Sequence, residues 1–86
     1  MMKLKLNVIF FSTLREATGR EEMILTLNGD GPVLVRDVLA MLYEQIPKLR
    51  EWDGQVLLAL DQAYVNRDAE VVDGQELAIM PPVQGG

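Results

Sequence analysis

The sequence contains no cysteine and no histidine. Their joint absence removes disulfides as a source of stability. It also removes thiolate nucleophiles, finger-type zinc sites and the histidine general base. Positive charge is scarce: eight Lys and Arg stand against thirteen Asp and Glu, for a net charge of −5. The basic residues, Lys3, Lys5, Arg15, Arg20, Arg36, Lys48, Arg50 and Arg67, are scattered along the chain. Nucleic-acid binding needs a clustered basic surface that displaces counterions from phosphate, so nucleic acid is not an expected partner. Long apolar runs are missing as well. In the opening segment only Val8–Phe11 is continuously apolar, too short for a signal-peptide core or a membrane span. The expectation is a cytoplasmic protein with no membrane partner.

What is present is a well-patterned 86-residue chain, 49% hydrophobic, enough for one compact domain over residues 1–86. Residues 3–11 alternate, with Leu4, Leu6, Val8 and Phe10 on one face and Lys3, Lys5, Asn7, Ile9 and Phe11 on the other. That period of two describes a half-buried strand. Thr13 and Glu16 fit a capping box opening a short helix over 13–18, which Gly19 ends. Glu21 to Leu27 reads as a second strand, closed by Asn28-Gly29-Asp30-Gly31. Val35, Val38, Leu39, Leu42 and Ile46 recur at helical spacing, and Pro47 stops that helix. Its start lacks a Ser, Thr, Asp or Asn cap. A polar link spans Lys48–Gly54. Val56–Leu60, Tyr64-Val65 and Glu76–Met80 then read as strands. Asp53-Gly54 and Asp73-Gly74 are turn signals without calcium-loop spacing.

One amphipathic helix covering one mixed sheet is an α+β roll. Strand, turn, strand, helix, then further strands is the ubiquitin-like β-grasp order, in which the first and last strands lie parallel and adjacent. A fold of this kind does not fix a function.

The chain ends Met80-Pro81-Pro82-Val83-Gln84-Gly85-Gly86. Pro81-Pro82 cannot continue a ladder and favours an extended course, so residues 81–86 are expected to form a flexible tail leaving the body in a defined direction. Six residues at about 3.3 Å each reach up to roughly 20 Å. Two glycines pass through a narrow channel and adopt whatever dihedrals it demands. Gly86 then offers a carboxylate without side-chain bulk, open to adenylation and attack by a sulfur donor. With no cysteine to hold a persulfide, a sulfur carrier of this sequence would use that carboxylate.

Phe10-Phe11 followed by Arg15-Glu16, then Asp73-Gly74-Gln75-Glu76, then Pro81-Pro82-Val83-Gln84-Gly85-Gly86, resembles the small subunits of molybdopterin synthase over essentially the whole chain. The resemblance implies a sulfur-carrier subunit with no bound cofactor and no metal. An E1-like enzyme would use ATP to adenylate Gly86, and a sulfur donor protein would convert it to a thiocarboxylate. The tail, Pro81, Pro82, Val83, Gln84 and Gly85, would then enter the large catalytic subunit. There it would give its sulfur to cyclic pyranopterin monophosphate in molybdenum cofactor biosynthesis. The implied assembly is a heterotetramer, two large subunits with a small one at each end. Carriers for thiamine, tungsten-cofactor or cysteine synthesis remain open alternatives, as does a ubiquitin-like modifier of lysines.

Phe11 and Met80 are candidates for partner contact because alternation turns both away from the core. Tyr64 joins them because its place in the chain matches an interface residue of the family. Trp52 reads as a residue packed at the edge of the core. Asp61 and Asp68 read as solvated turn carboxylates without a partner to tune them.

Overall fold

Nine residues, alternating in polarity as far as Val8, form β1 (Met2–Phe10), and the fold is assembled around that strand. The computed structural model describes residues 2–29 and 31–82. After β1 come α1 (Thr13–Thr18), β2 (Glu22–Gly29), β3 (Val33–Leu34) and α2 (Val35–Gln45). A 3₁₀ segment (Pro47–Trp52), β4 (Leu57–Leu60), β5 (Ala63–Val65), β6 (Glu70–Val71) and β7 (Glu76–Met80) follow. Five strands form one sheet in the order β2-β1-β7-β4-β5, and β3 pairs with β6 in a two-stranded ribbon. β1 and β7 run parallel at the centre, from Asn7 opposite Glu76 to Phe10 opposite Ile79, and every other pairing in the sheet is antiparallel. This is the ubiquitin-like β-grasp arrangement, with α2 packed on one face.

The helix-side face of the sheet supplies Leu6, Val8, Phe10, Leu25, Leu27, Leu58, Leu60, Leu77 and Ile79 to a common core. Val35, Val38, Leu39, Leu42 and Ile46 meet them from α2 and its end, as the helical spacing predicts. Leu49 joins them, buried, from the segment read as a polar link. That segment is a 3₁₀ helix rather than a loop, and Trp52 packs half-buried against the core at its end.

α2 begins without a side-chain cap at its N-cap residue Leu34, and the structure shows what replaces one. A helix start leaves backbone N–H groups without intrahelical acceptors. Here the Val35 and Arg36 N–H groups donate to the carbonyls of Ala69 and Arg67, at 2.9 and 3.0 Å. The Asp37 carboxylate accepts the Leu34 N–H at 2.9 Å. The loop before β6 thus caps the helix from across the fold, which no local pattern announces.

Two local expectations are corrected. The capping box at Thr13 does not form, because Ser12 is the N-cap and adopts φ 51° with no side-chain cap bond. That backbone turn lets the Phe11 and Ser12 carbonyls accept from Leu14 and Arg15 at 3.0 Å each, so the helix closes without the box. β2 also runs on through Asn28 and Gly29, because β1 starts at Met2 and pairs with them.

Candidate functional site

In a sheet, residues paired across strands share a face. The register therefore sets Glu22, Ile9, Ala78, Ala59 and Tyr64 in one row across all five strands, on the face away from α2. Met80 lies opposite Leu57 in the neighbouring row, and Ile24 and Glu76 flank Asn7 on the other side. Phe11 follows the end of β1 and donates its backbone N–H to the Ile79 carbonyl at 3.2 Å, which holds it beside Met80.

The two alanines leave the middle of this face low, and larger apolar groups stand around them. Phe11 is 44% exposed, Ile24 71% and Tyr64 75%, while Ile9, Leu57, Ala78 and Met80 are half-buried. Phe11, Tyr64 and Met80 thus lie on one outward face. The sequence candidates omit Ile9, Ile24 and Leu57; the signal for all three is the same period-two alternation that placed Phe11.

Tyr64 owes its position to the tight β4–β5 turn. Asp61 and Gln62 have φ of 46° and 72°, the left-handed pair that suits the twist of a two-residue hairpin. Asp61 is not a free turn carboxylate. It accepts the Glu76 backbone N–H at 2.9 Å and the Gln75 side-chain amide at 3.2 Å. Gln75 in turn accepts the Val72 N–H at 2.6 Å. Asp61 therefore ties the hairpin to the start of β7. Asp68 also has a partner, in an exposed ion pair with Arg36.

A second polar cluster lies on the helix layer. The Tyr43 hydroxyl donates to Asp53 at 2.7 Å, and Arg67 meets the same carboxylate at 2.7 Å. Burial and the bond to Asp53 push the Tyr43 hydroxyl up to about 12. The Tyr43 and Arg67 hydrogen bonds hold Asp53 below the usual carboxylate range. For Arg67, burial works against the charge, but the bond to Asp53 and the nearby negative charge outweigh it and raise its pKa. The cluster braces α2 against the turn after the 3₁₀ segment. It offers no nucleophile beside a base. Among the described residues no group of His, Cys, Asp or Glu converges to hold a metal ion.

β7 ends at Met80, and Pro81 and Pro82 follow half-buried at its exit. Val83, Gln84, Gly85 and Gly86 lie outside the described residues. A cavity of about 250 Å³ opens at the Phe11 end of β1, on its β2 side, lined by Ile9, Phe10, Phe11, Arg15, Glu21 and Glu22. A larger one, about 380 Å³, lies by Lys3, Leu4, Val33 and Val71–Asp73, toward the opposite end of β1.

Residues 8–86 match the ThiS family. The molybdopterin synthase sulfur carrier subunit of Chlamydomonas reinhardtii is 36% identical over 85 residues, covering 96% of this chain and all of that one. Among solved structures, a Pyrococcus furiosus protein described as a putative molybdopterin converting factor, subunit 1, superposes with a TM-score of 0.80 at 27% identity. That superposition covers 93% of this chain and 99% of the other. A complex of subunits 1 and 2 of molybdopterin-converting factor from Helicobacter pylori contains a chain with a TM-score of 0.69 at 25% identity, over 96% and 100% of the two chains.

Proposed function

Because the chain belongs to the ThiS family, we propose that it is the sulfur-carrier subunit of a molybdopterin synthase, with Gly86 as the atom-bearing end. One observation carries the reading. The central strand β7 runs out through Pro81-Pro82 beside an outward apolar face that includes Phe11, Met80 and Tyr64. That juxtaposition suits a protein whose face docks while its end is threaded into a partner. The names of the similar proteins support the same assignment, and the Helicobacter pylori complex supports a large-subunit partner.

The chemistry follows from an unactivated carboxylate being a poor electrophile. An E1-like enzyme couples it to ATP: a Gly86 carboxylate oxygen attacks the α-phosphate, pyrophosphate leaves, and an acyl adenylate forms. A persulfide on a donor protein attacks the acyl carbon with its outer sulfur and AMP leaves, giving an acyl disulfide. A second thiol then attacks the donor's inner sulfur, takes it into a disulfide and releases the thiocarboxylate. In the large subunit that sulfur passes to cyclic pyranopterin monophosphate, and water restores the carboxylate. Gly85 gives the end its slender approach, and Pro81, Pro82, Val83 and Gln84 set its reach. The large subunit supplies the catalytic groups, so this chain is a co-substrate and not an enzyme by itself. It binds no permanent cofactor, and ATP is consumed by the activating enzyme.

Incubation with the activating enzyme, ATP and a sulfur donor should add the mass of one oxygen-to-sulfur exchange, confined to the C-terminal peptide. Deleting Gly86 should abolish the exchange while thermal unfolding barely changes. Sulfur on any other peptide would overturn the carrier reading, and conjugates to lysine in place of a thiocarboxylate would favour a protein modifier.

A further inference from the structure

We propose that the cavity beside Phe11 is a seat for an arginine side chain presented by the docking partner. The inference rests on the docking reading above and adds the chemistry of one contact. The apolar side chains at the cavity are those of Ile9 and Phe11, the latter 44% exposed, while Phe10 turns its ring into the core. The rim is charged, with Glu21, Glu22 and Arg15. Glu21 is taken: Arg15 reaches it at 3.3 Å. Glu22 has no ion-pair partner among the described residues, and its carboxylate accepts a long hydrogen bond from the Asn7 side-chain amide at 3.5 Å. The cavity therefore combines an aromatic face, an aliphatic wall and one carboxylate without a counter-ion.

That combination suits a guanidinium better than an ammonium. A guanidinium is flat and weakly hydrated, so it stacks on an aromatic ring while its fork meets a carboxylate edge-on. Its aliphatic stem would cover Ile9. A neutral apolar side chain would leave the Glu22 carboxylate partly desolvated with nothing to meet it. An acidic one would face both glutamates. The carrier's net charge of −5 favours a basic partner surface in the same sense. The seat is also continuous with the rest of the outward face. Glu22 is paired with Ile9 in the row that ends at Tyr64, and the Phe11 N–H bonds the Ile79 carbonyl at the root of the tail. An arginine seated here would fix the carrier's position next to the point where the tail leaves.

The test is a titration of the intact carrier against the large subunit at about 50 and about 500 mM NaCl, since an exposed ion pair weakens with screening. Glu22→Gln should weaken binding about 3- to 10-fold at low salt, with the gap closing at high salt. Glu70→Gln makes the same charge change at the other cavity, and it should bind as wild type. Equal affinities for the two variants would overturn the seat while leaving the docking reading intact. In parallel, argininamide is titrated into the isotope-labelled carrier alone. Amide shifts at Phe11, Arg15 and Glu22 that vanish in Glu22→Gln support the seat even if the large subunit does not bind, an outcome that would sink the docking reading instead. Shifts that persist unchanged in Glu22→Gln, or none at these residues, overturn the seat.

Discussion

Phe10 and Phe11 are neighbours in sequence and opposites in the fold, one 1% exposed and the other 44%. Chemistry does not distinguish them; the pleat does. Successive strand residues point to opposite faces, so one aromatic ring fills the helix-side core and the next stands on the outward face. The comparison extends over the whole sheet. On the helix side the row across β1, β7 and β4 is built from Val8, Leu77 and Leu60, all packed. On the other side the adjacent row runs through Ile9, Ala78 and Ala59 to an exposed Tyr64. The helix-side face is apolar throughout, while the outward face mixes its apolar residues with Lys3, Lys5, Asn7, Glu22 and Glu76, and only the first packs against another layer of the molecule. An outward face that is apolar and small at its centre is under a different constraint from a core.

The strongest way to break this comparison is to truncate the two rings separately. Phe10→Ala should cost about 3–5 kcal/mol of folding stability, through lost burial plus the cavity left behind. Phe11→Ala should cost no more than about 1 kcal/mol in the same denaturant titration. The order should reverse for docking. Phe11→Asp should lose about 2–4 kcal/mol of affinity for the large subunit, roughly 30- to 1000-fold, with the fold retained. Comparable stability losses at the two positions would show that the outward face is structural.

A smaller effect comes from the Tyr43–Asp53–Arg67 cluster, which belongs to the helix layer and should affect stability without touching docking. A hydroxyl whose folded pKa is raised from 10.0 to about 12 contributes stability that is full below pH 10 and lost as pH rises through about 12. Tyr43→Phe should lower stability at neutral pH by about 1 kcal/mol and flatten that alkaline decline. Asp53 has the opposite sense. Its folded pKa is depressed, so its contribution is present above the ordinary carboxylate range and fades as pH falls through the folded value. Thermal melts across pH check both limbs; an alkaline decline of unchanged steepness in Tyr43→Phe would assign it to other groups.

The smallest expected change is a gain. Gln62 sits at φ 72°, a conformation glycine adopts without the steric penalty of a side chain. Gln62→Gly should stabilise the β4–β5 turn by roughly 0.5 kcal/mol after the extra freedom of the unfolded glycine is discounted. Partner affinity should stay unchanged, since Tyr64 keeps its place. A clear loss of stability would mean that the Gln62 side chain contributes more than its backbone strain removes.

The period-two and helical patterns made most of this legible in advance. Alternation in β1 and β7 assigned Phe11 and Met80 to the outward side, and the spacing from Val35 to Ile46 marked the face of α2 that is buried. What stayed hidden depends on partners distant in sequence. Val33–Leu34 and Glu70–Val71 are strands only because they meet each other, and two residues carry no periodicity. Leu49 is an isolated apolar residue, three positions before Trp52, in a polar stretch, buried by the turn that Pro47 begins. Asp61 is an exposed turn carboxylate as expected, but its partners could not be read because Gln75 and Glu76 lie fourteen and fifteen positions away. The Arg67 and Ala69 carbonyls that cap α2 are more remote still. The cavity rim could not be read either, since Glu22 and Phe11 meet only when β2 folds back on β1.

The parallel β1–β7 pairing also has a mechanical consequence. Under the proposed function, a partner that drew in the chain end would pull along the axis of β7, through Pro81 and Pro82. β7 lies between β1 and β4 and is hydrogen-bonded on both sides. Those bonds run across the pulling direction, so the load falls on two ladders in shear rather than opening one of them bond by bond. Asp61 adds an anchor at the far end of the strand, gripping the Glu76 N–H from the neighbouring hairpin. A pull on the end of β7 would therefore be borne by both ladders without the strand being drawn out of the sheet.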